Sequence, residues 1–196
     1  MSKVASRLKK TKKLMDKIDH SSKLRTNIPA GLASPSPPLG SQLGQRNVNI
    51  ANFVKDFNEK TAHIKQGIPI PCRVKVLPDR TYDLVMHLPP TGYYLMQAAG
   101  IQRGAMNSAN EIAGKITLKH LYEIAKIKSQ DPPLSLLTLP QITQMFVNIA
   151  RTIGIKIVRD LDPEEYGQFL KEREVIVAEQ KKALQEAKEA KMLRTA

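Results

Sequence analysis

Ile50, Phe53, Val54, Phe57 and Ile64 recur at helical spacing behind Asn49, a residue type that caps helix N-termini, and predict a helix with one core-facing stripe. Beyond Gly67 the period falls to two: Cys72, Val74 and Val76 alternate with Arg73 and Lys75, which predicts a strand. A turn at Pro78-Asp79-Arg80 brings residues 82–86 back, so a hairpin packed on that helix is expected. Pro89-Pro90 breaks the chain and marks a boundary. Thr91 can then cap a helix reaching Ala99, with Gly100 as its stop. Residues 101–113 have weak periodicity and many small or polar side chains, the pattern of a mobile loop. Thr117 caps the next helix, with Leu118, Leu121, Ile124, Ala125 and Ile127 inside, and Asp131-Pro132-Pro133 ends it.

Thr138 opens a further helix of two contrasting sides. Ile142, Met145, Phe146, Ile149 and Ile153 form one; Gln141, Gln144, Asn148, Arg151 and Thr152 form the other. Gly154 stops it before a short strand at 155–158. Asp162-Pro163-Glu164-Glu165 carries a cap, a first-turn proline and a carboxylate three residues on, so a last helix starts there. In it Phe169, Ile176 and Ala183, beside Leu170, Val177 and Leu184, repeat every seven residues as a narrow apolar seam suited to docking.

Ahead of these elements, residues 30–46 are dense in Pro, Gly and Ser and read as an ordered loop entering a short helix, with Pro37 and Pro38 in its first turn. No Gly-Lys-Ser/Thr follows the glycines, so the loop is not a nucleotide-cradling one. Val4, Leu8, Met15 and Ile18 share a stripe in an acid-poor, lysine-rich leader over residues 1–28. That leader reads equally as a mitochondrial address or as a basic, partly disordered tail that lies on RNA or points into solvent.

Composition narrows the classes. A chain of 196 residues, 41% apolar and 25% charged, forms one or two small units and excludes a large multidomain enzyme. Its formal charge of +13 favours polyanionic partners, nucleic acid or an anionic membrane surface. The excess is uneven: residues 1–28, 29–88, 89–158 and 159–196 sum to +7, +3, +4 and −1. Residues 84–110 and 132–159 contain no Asp or Glu, so two long stretches offer nothing that repels phosphate.

Candidate chemistry is thin. His20, His63, His87 and His120 lack metal-type spacing, and the single Cys72 can form no intrachain disulfide and sits in a strand, where burial is expected. Acids concentrate in the tail, alternating with Lys as a solvated face does. No metal, cofactor, small-molecule substrate or catalytic residue is expected. Of the few aromatics only Tyr82 lies on a strand, too little for a base-stacking platform, so any RNA contact must use phosphates, 2′-hydroxyls and folded shape. The polar side of the 138–153 helix, with amides, a hydroxyl and one guanidinium, suits that role; a merely wet side of a half-buried helix is the plainer alternative.

Seven motifs carry a resemblance: residues 29–45 (PAGLASPSPPLGSQLGQ), 47–50 (NVNI), 57–61 (FNEKT), 67–71 (GIPIP), 98–101 (AAGI), 113–117 (AGKIT) and 150–154 (ARTIG). In this order and spacing, over residues 26–158, the chain resembles the ribosomal protein L11 family, the stalk-base proteins of the large subunit. The resemblance implies an α+β fold: two small α/β domains joined by a short Pro-containing linker, here 29–88 and 89–158, between the basic leader and a helical extension over 159–196. It implies that the C-terminal domain grips rRNA of the GTPase-associated centre, through Pro89, Pro90, Thr91, Gly114, Lys115, Lys119, Asn148, Arg151, Thr152 and Gly154. It implies that the N-terminal domain faces translational GTPases and acidic stalk proteins, with Pro35, Pro37 and Pro38 bordering the cleft where thiazole antibiotics bind.

Lys55, in the Phe-x-Lys-x-Phe-Asn pattern at 53–58, matches a position methylated in family members. Two departures are visible: Ser41 stands where proline is common and Asn47 where glycine is common, and Asn tolerates positive φ. The two flanks resemble the mitochondrial branch, which places the protein on the matrix ribosome and leaves the terminal helix to contact other ribosomal proteins. The rival class is a basic membrane-surface or general RNA-binding protein using its leader as an interfacial helix.

Overall fold

A computed structural model describes residues 23–77, 79 and 81–195, and divides the chain into two compact units after Pro90. The amphipathic stripe of the leader, Pro78 and Arg80 lie outside the described residues.

The first unit is a three-stranded antiparallel sheet with two helices on one face. Strands β1 (Lys23–Pro29), β2 (Pro69–Val76) and β3 (Tyr82–Met86) lie in the order β1-β2-β3. β2 is the alternating segment read from sequence, and it buries Ile70, Cys72 and Val74. β1 corrects the leader boundary: residues 23–28 are a strand of this unit, with Leu24 opposite Val74 and Ile28 opposite Ile70. Two apolar residues four apart fit a helix stripe as well as a strand face, and only the partner strand, more than forty residues on, decides between them. Helix α1 is Leu39–Gly44 and α2 is Ile50–Lys60. Asn49 caps α2, its side chain accepting from the Asn52 amide at 3.2 Å. Phe53 and Phe57 are fully buried against the sheet, their rings 6.4 Å apart and stacked, and the Tyr82 hydroxyl donates to Asp56 at 2.5 Å.

The second unit packs helices on a two-stranded sheet. It runs α3 (Thr91–Ala98), β4 (Gly114–Thr117), α4 (Leu118–Lys128), a 3-10 turn (Pro132–Leu134), α5 (Leu139–Ile153), β5 (Ile155–Val158) and α6 (Pro163–Thr195). β4 pairs with β5 in parallel, Gly114 opposite Ile155 and Ile116 opposite Ile157. β4, Gly-Lys-Ile-Thr, carries one apolar β-branched residue where β5 carries three, so it has no sequence signal of its own. Thr117 caps α4 in a box with His120, Thr138 caps α5 with Gln141 in place of an acid, and Asp162 receives the Glu164 amide at the start of α6. Leu95, Ile116, Leu121, Ile142, Phe146 and Ala150 fill the core. Leu118, Ile127 and Met145, expected inside, are exposed instead, at the margins of their helices' apolar stripes.

The seam of α6 also differs from its heptad reading. Ile176 and Ala183 face solvent, and the side turned to the unit carries Tyr166, Leu170, Arg173, Val177 and Gln180, three or four apart. Two of these five are strongly polar, which is why an apolar repeat does not find them. Residues 181–192 are exposed throughout.

Candidate nucleic-acid interface

Three segments of the second unit meet at the C-terminal end of α5. Gly154 ends that helix with φ +84°, a conformation L side chains rarely adopt, and a Cβ there would lie 2.4 Å from that of Ala105. The last carbonyls are taken by the loop between α3 and β4: the Ala105 amide donates to Ile153 O and the Ala113 amide to Gly154 O, both at 2.8 Å. Gly104 and Gly92 allow the approach, since a Cβ on either would meet Ile153 at 2.9 Å and 3.2 Å. The start of α3, the 101–113 loop and the last turn of α5 therefore share one edge. On the outward side of that turn Asn148, Arg151 and Thr152 are exposed, with the Thr152 hydroxyl donating to Ile149 O at 2.7 Å.

The loop is irregular, as expected, yet it is tied to α6 through Glu111. One carboxylate oxygen accepts from the amides of Met106 and Asn107 at 2.7 and 3.3 Å; the other accepts from Gln180 Nε2 at 2.8 Å and from Arg173 Nη1. Arg103 in turn donates to Gln180 Oε1. Burial pushes the Glu111 carboxyl up, but the bonds from Arg173, Gln180 and the two amides outweigh it and bring the group down to about 2. Arg173 is itself buried, and its Nε and Nη2 have no hydrogen-bond partner among the described residues. The one acid of the loop is thus turned inward on a cation of α6.

Tyr166, one turn into α6, ties the next corner. Its hydroxyl donates to Ala99 O at 2.5 Å and accepts from the Lys115 amide at 3.2 Å, while Lys115 Nζ lies 4.9 Å from the centroid of the Phe169 ring.

The residues proposed from resemblance separate on this geometry. Asn148, Arg151, Thr152 and Lys119 are exposed, and Thr91 and Pro90 are half-buried. Lys119 lines a shallow cleft with Tyr122, Thr143, Gln144 and Val147, one turn before Arg151 along α5. Pro89, Gly114 and Gly154 are buried, so they hold backbones in place and offer no side-chain surface. Gly114 is needed because a Cβ there would press on Ala99 at 3.0 Å and on the Tyr166 hydroxyl at 3.3 Å. Glu111, Arg173 and Gln180 escape a sequence reading: they lie 62 and 69 residues apart, with no local motif.

In the first unit the proline-rich loop is fastened to α2. Asn58 pairs with both backbone groups of Ala33, and the Gly31 amide donates to Thr61 Oγ1 at 3.0 Å, whose hydroxyl donates to Phe57 O at 2.8 Å. Pro35, Pro37 and Pro38 are exposed and precede α1, Pro38 being its N-cap, where a first-turn position was expected. The Pro37–Pro38 peptide is cis. Asn47 keeps the positive φ its glycine-like position asks for, at +57°. Lys55 is exposed on α2, 4.0 Å from Glu59.

Comparison with known families decides between the classes. Residues 24–82 match the family described as ribosomal protein L11, N-terminal domain, and residues 87–157 match ribosomal protein L11, RNA binding domain. The chain belongs to the ribosomal protein L11 family. It is 60% identical over 195 residues to the large ribosomal subunit protein uL11m of Drosophila melanogaster, covering 100% of both chains. It is 53% identical over 195 residues to uL11m of Caenorhabditis elegans, with 99% of this chain and 98% of the relative covered. The uL11m of Schizosaccharomyces pombe is 37% identical over 131 residues, 67% of this chain and 91% of the relative. This L11 protein is a mitochondrial large-subunit ribosomal protein that binds rRNA, a structural constituent and not an enzyme.

Proposed function

We propose that the rRNA-gripping surface is the edge built from the first turn of α3, the 101–113 loop and the outward side of α5, with Asn148, Arg151 and Thr152 as its direct donors. The observation that supports this reading is the convergence of those three segments on Ile153 and Gly154, in a region whose only acid, Glu111, is paired with Arg173. An amide, a guanidinium and a hydroxyl on a rigid helix can donate to phosphate and 2′-hydroxyl oxygens of a folded RNA without a stacking platform. Thr91 and Lys119 flank the edge; Gly114 and Gly154 shape it from beneath; Pro89 and Pro90 lead the chain into α3; Lys115 supports the edge through α6.

The RNA fits the GTPase-associated centre of the large subunit. In this reading the first unit meets translational GTPases and stalk proteins, with the exposed Pro35, Pro37 and Pro38 at the cleft against rRNA, and the exposed end of α6 meets other ribosomal proteins. Titration of the full chain with a transcript of that rRNA region tests the surface. N148A and R151A are each expected to weaken binding by about 1–3 kcal/mol, and R151A to lower the log–log salt slope by about 0.7–0.9. Unchanged affinity in both variants would overturn the assignment.

A further inference from the structure

The sheet of the first unit has two faces, and the one turned away from α2 is unusual. On it Arg25 of β1 stands directly opposite Arg73 of β2, and Lys23 directly opposite Lys75. All four side chains are exposed. Directly opposite side chains have Cβ atoms about 4.5–5.5 Å apart, and like charges in such pairs destabilise a sheet. Two successive like pairs, about 6.8 Å apart along the strands, concentrate four positive charges on one patch. On β3 the neighbouring positions are Asp83, opposite Lys75, and Val85, opposite Arg73, so one acid stands beside four cations. No ion pair among the described residues engages any of the four.

A surface that keeps this repulsion is explained by a partner that removes it. We propose that the outer face of the β1-β2-β3 sheet is a second RNA contact, seating the phosphate backbone of an RNA duplex on Lys23, Arg25, Arg73 and Lys75. The occupant is RNA and not an acidic protein because the face has no aromatic anchor for a protein partner to bury. Its remaining exposed side chains are Asn27, Pro29, Asp83 and Val85, without one aromatic, and lysine is depleted in protein interfaces. Lys and Arg on a flat, aromatic-free surface suit sequence-independent phosphate contact. The contact is distinct from the α5 edge, and neither reading depends on the other.

The test uses the full chain and the variant R25T/R73T, which replaces one like-charge pair by threonines that favour strands and pair well across them. Three results are expected. The free variant melts a few degrees higher than the parent. Its binding to a 16-base-pair RNA duplex of arbitrary sequence weakens, with the log–log salt slope reduced by roughly 1.4–1.8 for two lost phosphate contacts. The same reduction persists in an N148A/R151A background, which separates this face from the α5 edge. K23T/K75T repeats the measurement should the first variant fold poorly. An unchanged slope in both pairs would overturn the proposal, as would loss of binding to poly-glutamate without loss of binding to the duplex.

Discussion

The side-chain amide of Asn58 spans the backbone of Ala33: its Oδ1 accepts from the Ala33 amide at 3.0 Å and its Nδ2 donates to the Ala33 carbonyl at 3.3 Å. One residue of α2 thereby does for the proline-rich loop what a neighbouring strand would do, satisfying a donor and an acceptor at once. Asn58→Ala removes both bonds and is expected to cost about 1–3 kcal/mol, because two part-buried backbone groups lose their partners. Chemical denaturation with fluorescence or circular dichroism reads that difference; Asn58→Asp, which keeps the acceptor and loses the donor, is expected to fall between the two.

Gly40 makes a sharper demand on the same loop. A Cβ at that position would sit 1.9 Å from the Pro35 carbonyl oxygen, a backbone atom with little room to move. Alanine normally favours a helix over glycine by about 1 kcal/mol, but here the clash outweighs it and Gly40→Ala is expected to lose about 1–3 kcal/mol or more. A thermal melt of the variant above that of the parent would contradict this.

These two contacts show how far the residues alone reach. Asn49, Thr117, Thr138 and Asp162 announce four helix starts because capping is local, and β2 announces itself because Cys72, Val74 and Val76 alternate with charged residues within one window. β1 and β4 do not, since each gains its identity from a strand about forty residues distant. The α5 edge was half legible: its polar side is periodic and visible, whereas the loop that completes it is ordered by Arg173 and Gln180, more than sixty residues later. Resemblance supplied Pro89, Gly114 and Gly154 as contacts, and the structure shows all three buried, without side-chain surface to offer.

Cys72 tests the absence of thiol chemistry. It is buried, its Sγ donates to Ile70 O at 3.3 Å, and burial pushes the thiol up to about 12. The thiolate is the reactive form, so the native protein is expected to resist a thiol reagent at pH 8 and to react stoichiometrically once unfolded in denaturant. Rapid labelling of the folded chain would show that β2 opens locally.

Glu111 gives stability a dependence on pH. Its folded value of about 2 lies below the ordinary carboxylate range, so between pH 5 and pH 2 the unfolded chain binds more protons than the folded one. The contribution is complete above about pH 5 and is lost as pH falls toward 2. E111Q, which cannot titrate, is expected to flatten the stability profile across that window. Melting temperatures from pH 2 to pH 7 for both proteins check the sign; parallel profiles would show that other carboxylates carry the acid sensitivity.

Arg173 lies on α6 and is buried, and its guanidinium holds the carboxylate that fixes the Met106 and Asn107 amides. Because two of its nitrogens have no partner among the described residues, Arg173→Met removes a costly buried ion while filling much of the same space. Glu111 keeps its two amide donors and Gln180, so stability is expected to change by less than the roughly 3–5 kcal/mol of an uncompensated buried charge. Loop order is the quantity that should suffer. Amide exchange over residues 105–112 is expected to accelerate in the free variant and to slow again in its rRNA complex. Affinity for the transcript should fall, since ordering the loop then draws on binding energy, while the salt slope stays as in the parent because no phosphate contact is lost. A slope reduced by about 0.7–0.9 would instead make Arg173 a direct RNA contact, and exchange rates identical to the parent's would show that α6 does not order the loop.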